Sequence, residues 1–172
     1  MKELSDILAK ASAAIEYQYF LVPIFEGNPV QRERVYCYEL YHQMRCIWPN
    51  GSDFILNGEL DKGGHPKLKQ KLGPLKPDFL VHHPGRMDLN YAVIEVKPAW
   101  PSKKAIRKDV KSISKLIREA NYQRGIYLIY GGSEQGRVDR MVDFAKEHTS
   151  NTQIEVWLHS YAGGEAKKVA VL

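Results

Sequence analysis

Asp78, Glu95 and Lys97 are the residues of this sequence best placed to do chemistry. Asp78 follows Pro77 and opens the apolar run "DFLVHH", while Glu95 and Lys97 interrupt "YAVIEVKP" among Val93, Ile94 and Val96. A carboxylate or an ammonium buried in such company is costly unless a partner compensates. The segment "PGRMD" between the two runs predicts a turn, and hence a hairpin. With the turn centred between Arg86 and Met87, opposed residues carry numbers that sum to 173, so Asp78 faces Glu95, Phe79 faces Ile94 and Val81 faces Ala92. Side chains alternate between the faces of a sheet. Asp78, Glu95 and Lys97 then share one face, and Phe79, Val81, Ile94 and Val96 share the other. The register that satisfies the hydrophobic pattern is also the one that gathers the charges.

Two facing carboxylates repel, and one of them is pushed towards its protonated form unless a cation lies between them. Two readings stay open on these residues alone. Lys97 balances a partly buried ion cluster, or a divalent cation does. Few carboxylates, completed by water and a substrate phosphate, suit Mg²⁺ or Mn²⁺. In the second reading Lys97 neutralises a phosphate or helps to deprotonate an attacking water.

The elements that must position these residues follow from periodicity. An amphipathic helix is predicted from Leu4 to about Tyr17, with Leu4, Ile7, Leu8, Ala11, Ala14 and Ile15 on one face. Asn28-Pro29 reads as an N-cap followed by proline at the first helical position. The helix expected from there to about Cys46 buries Cys37, Leu40, Tyr41, Met44 and Trp48. It turns Arg32, Tyr36, Glu39 and Gln43 away from that face. "FILNGEL" is a first strand, the hairpin supplies two more, and residues 103–120 form a basic helix with Ile106, Val110, Ile113, Leu116 and Ile117 as its apolar stripe. "GIYLIYGG" is a buried strand, "GRVDRMVDFAKEH" a helix and "TQIEVWLHS" a last strand. Hairpin-joined strands pair antiparallel, and strands separated by a helix imply crossovers. The expected fold class is α/β: a single domain over residues 1–172, with a mixed central sheet flanked by helices.

Charge bounds the partner. The chain of 172 residues carries a net charge of +5 and is 44% hydrophobic, enough to bury a core. Residues 103–118 hold seven Lys or Arg against one Asp, and "DKGGHPKLKQKLGPLK" holds five Lys against one Asp. These patches suit a polyanion, and Lys104, Lys108, Lys111, Lys67 and Lys69 are its candidate contacts. No stretch is apolar and long enough for a membrane span, and the N-terminus lacks the plain apolar run of a secretory signal. Cys37 and Cys46 lie nine apart on one helix, so they point to opposite sides and do not pair. The expected compartment is the cytoplasm.

Pro77-Asp78, sixteen intervening residues and then Glu95-Val96-Lys97 resemble the signature of the PD-(D/E)XK nuclease superfamily, which includes restriction endonucleases and Holliday-junction resolvases. The predicted αβββαβ order over about residues 30–132 is similar to that family's core, here with an extra N-terminal helix and a C-terminal αβ extension. The resemblance implies that Asp78 and Glu95 bind the metal, that the Val96 carbonyl completes the shell and that Glu39, from the preceding helix, assists. It implies hydrolysis of a phosphodiester, with DNA as the family's habitual substrate. Target choice would fall to loops, to a homodimer or to a partner protein. Against this stand a catalytically inactive binding module on the same fold and an unrelated α/β protein whose charged trio is structural. Glu59 is a weaker candidate for the site, and Trp100 for stacking on a base. His82 and His83, adjacent on a strand, point to opposite faces and cannot clasp one ion together.

Overall fold

The computed structural model describes residues 3–60, 75–132, 135–149 and 152–172. Among these residues thirteen elements follow in chain order: α1 (Leu4–Ala13), α2 (Tyr17–Phe20), β1 (Val22–Ile24), β2 (Gly27–Val30), α3 (Glu33–Cys46), β3 (Ile55–Gly58), β4 (Phe79–His82), β5 (Asn90–Pro98), α4 (Lys103–Ala120), β6 (Arg124–Tyr130), α5 (Gln135–Lys146), β7 (Ile154–His159) and β8 (Lys167–Val171). The six strands β3 to β8 lie side by side in chain order. β3, β4 and β5 are antiparallel neighbours, β5, β6 and β7 run parallel, and β8 returns antiparallel. Each parallel step is bridged by a helix, α4 and then α5, as a crossover requires. The fold is α/β, with a mixed sheet flanked by helices.

Both faces of the sheet are covered, which explains why its central strands read as nearly continuous apolar runs. Phe79, Val81, Ala92, Ile94 and Val96 pack with α1, α2 and α3, joined by Ile126, Leu128 and Trp157. Leu80, Val93, Tyr127, Ile129 and Val156 face α4 and α5. Phe79 pairs with Ile94, Leu80 with Val93 and Val81 with Ala92, and only at His82, opposite Asn90, does an irregularity break the run. The hydrophobic alternation therefore fixes the hairpin register.

α4 begins at Ser102, whose Oγ accepts the Ala105 N–H at 3.2 Å, and ends at Asn121 in the left-handed region at φ +55°. It lies against β6 at Gly125, where a Cβ would collide with the Ile113 side chain and come within 2.9 Å of Ile117 Cδ1.

The N-terminal third departs from the expected pattern. α1 stops at Ala13, and an extended Glu16 leads into the short α2, which places Phe20 edge-on to Tyr36 and Tyr130. Asn28 and Pro29 do not start a helix. They lie in β2, paired with β1 in a two-stranded sheet of its own, where proline's fixed φ is tolerated because it need not donate to an inner ladder. α3 starts instead after an extended Arg32. Tyr36 is not on an outward stripe either: it is fully buried, stacked on Tyr130 at a centroid distance of 3.8 Å, with its hydroxyl 2.8 Å from His159 Nδ1. Tyr41 and Trp48 are half-buried rather than core residues. β8 is a further strand beyond those read from the pattern.

Candidate active site

The site gathers where β5 ends and α3 begins. Glu95 and Lys97 alternate with Ile94 and Val96 and so leave β5 on the α4 side. Asp78 sits just before β4, and its Oδ2 accepts the Val96 N–H at 2.8 Å. The N–H and C=O of one strand residue leave along the same edge, so the Val96 carbonyl is directed to the Asp78 side as well. Together with Glu33, Lys76, Lys108, Asp109 and Ser112, the side chains of Asp78, Glu95 and Lys97 line a cavity of about 250 Å³.

Lys97, its side chain 17% exposed, donates to Glu33 Oε1 at 2.8 Å and stands 4.0 Å from Asp109 Oδ2. Asp109 Oδ2 is buried without a hydrogen-bond partner among the described residues. Among the described residues, four carboxyl groups, Glu33, Asp78, Glu95 and Asp109, thus crowd around one enclosed ammonium. Lys108 is exposed at the edge, and Lys76 is turned to Glu59 at 2.5 Å.

The protonation equilibria follow from this excess. Burial pushes the Glu95 carboxyl well above its ordinary range, and Asp78 and Asp109 add to the shift by like-charge repulsion. Asp109 is raised to about 6, again chiefly by burial, with Lys97 and Lys108 pulling the other way. Burial alone would lower Lys97, but its bond to Glu33 and the nearby Asp109 and Asp78 outweigh that and raise it. Burial, then Asp78 and Glu33, pushes the Cys37 thiol up too, which leaves it an unreactive neighbour of the cavity.

Among the described residues no three His, Cys, Asp or Glu side chains converge as a metal cage. The donors at hand are fewer: the Asp78 and Glu95 carboxylates and the Val96 carbonyl. Mg²⁺ and Mn²⁺ take one or two carboxylates and fill the remaining positions with water and phosphate. The set fits such an ion and does not fit a closed site. A divalent cation there would also offset the surplus of negative charge.

The other expected residues fall in different places. Glu39 does not line the cavity. Its Oε1 accepts from Gln43 Nε2 at 2.7 Å along the helix, and the acid that α3 brings to Lys97 is Glu33. It is the N-terminal end of α3, not its middle, that meets the end of β5. Lys104, Lys108 and Lys111 are exposed along α4, and Lys108 reaches the cavity. Lys67 and Lys69 lie outside the described residues. Glu59, at φ +48°, pairs with Lys76 and with Arg34 at 3.6 Å and borders a small pocket with Glu33 and Asp78. His82 Nε2 lies 2.7 Å from Asn57 Oδ1, and His83 bonds the Pro84 carbonyl, so the two histidines do diverge.

Asp109 was missed by sequence reasoning, although a signal existed. It falls three residues after Ile106 and four before Ile113, on the buried stripe of an otherwise basic helix.

No family model matches this sequence, and no curated protein does. Among solved structures the chain is similar to Pyrococcus furiosus SfsA in complex with Ca²⁺, at 12% identity and a TM-score of 0.40, over 88% of this chain and 75% of that one. A likeness at that level bears on neither activity nor ligand.

Proposed function

We propose that the protein is a metal-dependent nuclease that hydrolyses phosphodiester bonds, with DNA as its substrate. The observation that carries this reading is the unbalanced carboxyl cluster around Asp78 and Glu95, beside an enclosed Lys97 and below the exposed lysines of α4. The PD-(D/E)XK-like spacing of Pro77, Asp78, Glu95 and Lys97 supports it independently. Asp78, Glu95 and the Val96 carbonyl would hold Mg²⁺ or Mn²⁺. Such an ion, when bound, supplies positive charge to phosphoryl oxygens and makes a water more acidic.

The chain's own residues do the rest. Lys97, with its affinity for the proton raised, keeps its ammonium at Nζ and acts on phosphate charge as a donor rather than as a base. Glu33 holds that ammonium in place. Lys104, Lys108 and Lys111 attract the backbone without reading bases. Free Cys37 and Cys46 suit a reducing, cytoplasmic setting.

A panel of duplex, single-stranded and branched DNA and of RNA, incubated with and without Mn²⁺, tests the proposal. Calorimetric titration of Mn²⁺ accompanies it. Metal-dependent cleavage is the expected result. Metal binding with no cleavage anywhere would make the protein a binding module, and no metal binding would make the charged cluster structural.

A further inference from the structure

A second cavity, of about 340 Å³, opens between α4 and α5 beyond the end of β5. Among the described residues Trp100 and Phe144 supply its rings, Ile106 and Met141 its apolar floor, and Lys103, Arg137 and Arg140 its cations. Arg137 lies 5.2 Å from the Trp100 ring, and Lys103 and Arg107 lie 5.2 and 5.9 Å from that of Phe144.

Trp100 is held in an unusual way. Its backbone is in the left-handed region at φ +63°, a conformation that bulky side chains rarely adopt. The Ala99 N–H donates to the Tyr130 carbonyl at 2.7 Å. A Cβ at Gly132 would come within 2.8 Å of both Ala99 Cβ and Trp100 Cζ2. The loop after β6 thus fixes the indole against bare backbone, and the strain is retained where an asparagine or glycine would relieve it.

We propose that this cavity is a binding subsite for an unpaired nucleotide, one base joining the Trp100 stack while Lys103, Arg137 and Arg140 take the flanking phosphates. Fixed aromatic rings among cations are the means by which proteins hold single strands, since every base has a face to stack and every link a charge. The exposed Lys104, Lys108 and Lys111 run along α4 between the Lys103–Arg107 side and the Lys108–Asp109–Ser112 side, so one strand spans subsite and cavity over a continuous basic ridge. The subsite gives the protein a preference for single-stranded or locally unpaired substrate. It rests on nucleic acid being the partner and not on cleavage.

Fluorescence anisotropy in EDTA tests it without hydrolysis, with a labelled short single-stranded oligodeoxynucleotide, an abasic oligomer of the same length and a blunt duplex. Trp100→Leu should weaken binding of the oligodeoxynucleotide roughly 5- to 150-fold and leave the abasic oligomer unchanged. Arg140→Gln should weaken both and flatten the dependence of log affinity on log salt by about 0.7. A folded Trp100→Leu protein that binds the oligodeoxynucleotide like wild type, or loses equally on the abasic oligomer, overturns the proposal and leaves the ring as an anchor for α5. Should that variant not fold, unchanged affinity and salt slope in Arg140→Gln overturn it instead. Metal-dependent cleavage with normal binding by these variants removes the subsite and keeps the nuclease; weakened binding without any cleavage in wild type does the reverse.

Discussion

Two clusters of enclosed charge lie at opposite ends of the parallel strands, and they are built on different terms. At one end Arg124 and Glu155 form a two-pronged pair, Nε to Oε1 at 2.8 Å and one Nη to Oε2 at 3.0 Å. Trp157 donates to Glu155 at 3.0 Å, Arg124 donates to Ser5 at 3.0 Å, and its guanidinium lies 5.9 Å from the Tyr91 ring. Each charge there is answered. Burial acts against both ions, yet the hydrogen bonds win, lowering Glu155 and raising Arg124. At the other end Glu33, Asp78, Glu95 and Asp109 share one ammonium among the described residues, and burial pushes Glu95 and Asp109 up. Enclosure is common to both. The difference lies in whether the protein supplies the partners itself, and the cluster that does not is the one for which we propose a cation from outside.

The largest expected effect is on Glu95→Gln. The carboxamide keeps the shape and removes the repulsion, so the melting temperature should hold or rise while metal-dependent cleavage falls to the level seen in EDTA. Turnover like wild type would end the metal assignment. At the balanced cluster the same change should act the other way. Glu155→Gln leaves Arg124 without its counter-ion and should cost roughly 3 kcal/mol in denaturant unfolding, with cleavage per folded molecule unchanged. An unaffected unfolding midpoint would mean that the contrast between the clusters is not energetic.

Their pH dependences should also oppose. A carboxyl raised to about 6 makes the folded state the tighter proton binder, so the stability it lends is complete below its ordinary value of 3.8 and is lost as pH climbs through about 6. Asp109→Asn should remove that loss, worth about 3 kcal/mol at most. Glu95 acts in the same direction. Glu155, lowered instead, lends stability above its ordinary value of 4.5 that is lost as pH falls. Metal-free melting curves from pH 4 to 7 check this, and an Asp109→Asn protein with the wild-type slope would refute the assignment.

The smallest contrast lies within α3. Glu33→Gln loosens the hold on Lys97 and should lower activity roughly 10- to 100-fold. Glu39→Gln exchanges one bond to Gln43 for another and should be close to wild type. Equal losses in the two variants would return Glu39 to the site.

What the sequence shows and hides follows from these residues. The hairpin register was legible because two constraints coincide, the alternation of Phe79, Val81, Ile94 and Val96 and the pairing of the charges across from one another. The acid from the helix was not legible. Choosing between Glu33 and Glu39 needs the rotation of α3 about its axis, and Tyr36 misleads there, since a tyrosine that stacks on Tyr130 and reaches His159 looks like a surface residue in a one-dimensional pattern. Asp109 hid for the opposite reason: its neighbours Lys108 and Lys111 make the helix read as a solvated face, although its own position is apolar. The small hairpin of β1 and β2 has no buried stripe to announce it.

Gly125 carries a consequence for how the cavity is tuned. Because Ile113 and Ile117 press on bare backbone there, α4 is seated on β6 like a gear tooth in its notch. Its rotation sets at once the direction of Asp109, the reach of Lys108 and the line of exposed lysines. A single methyl added beneath the helix would turn all three together. The calibration of the charged site is therefore held by a contact between hydrocarbons, with no charge of its own.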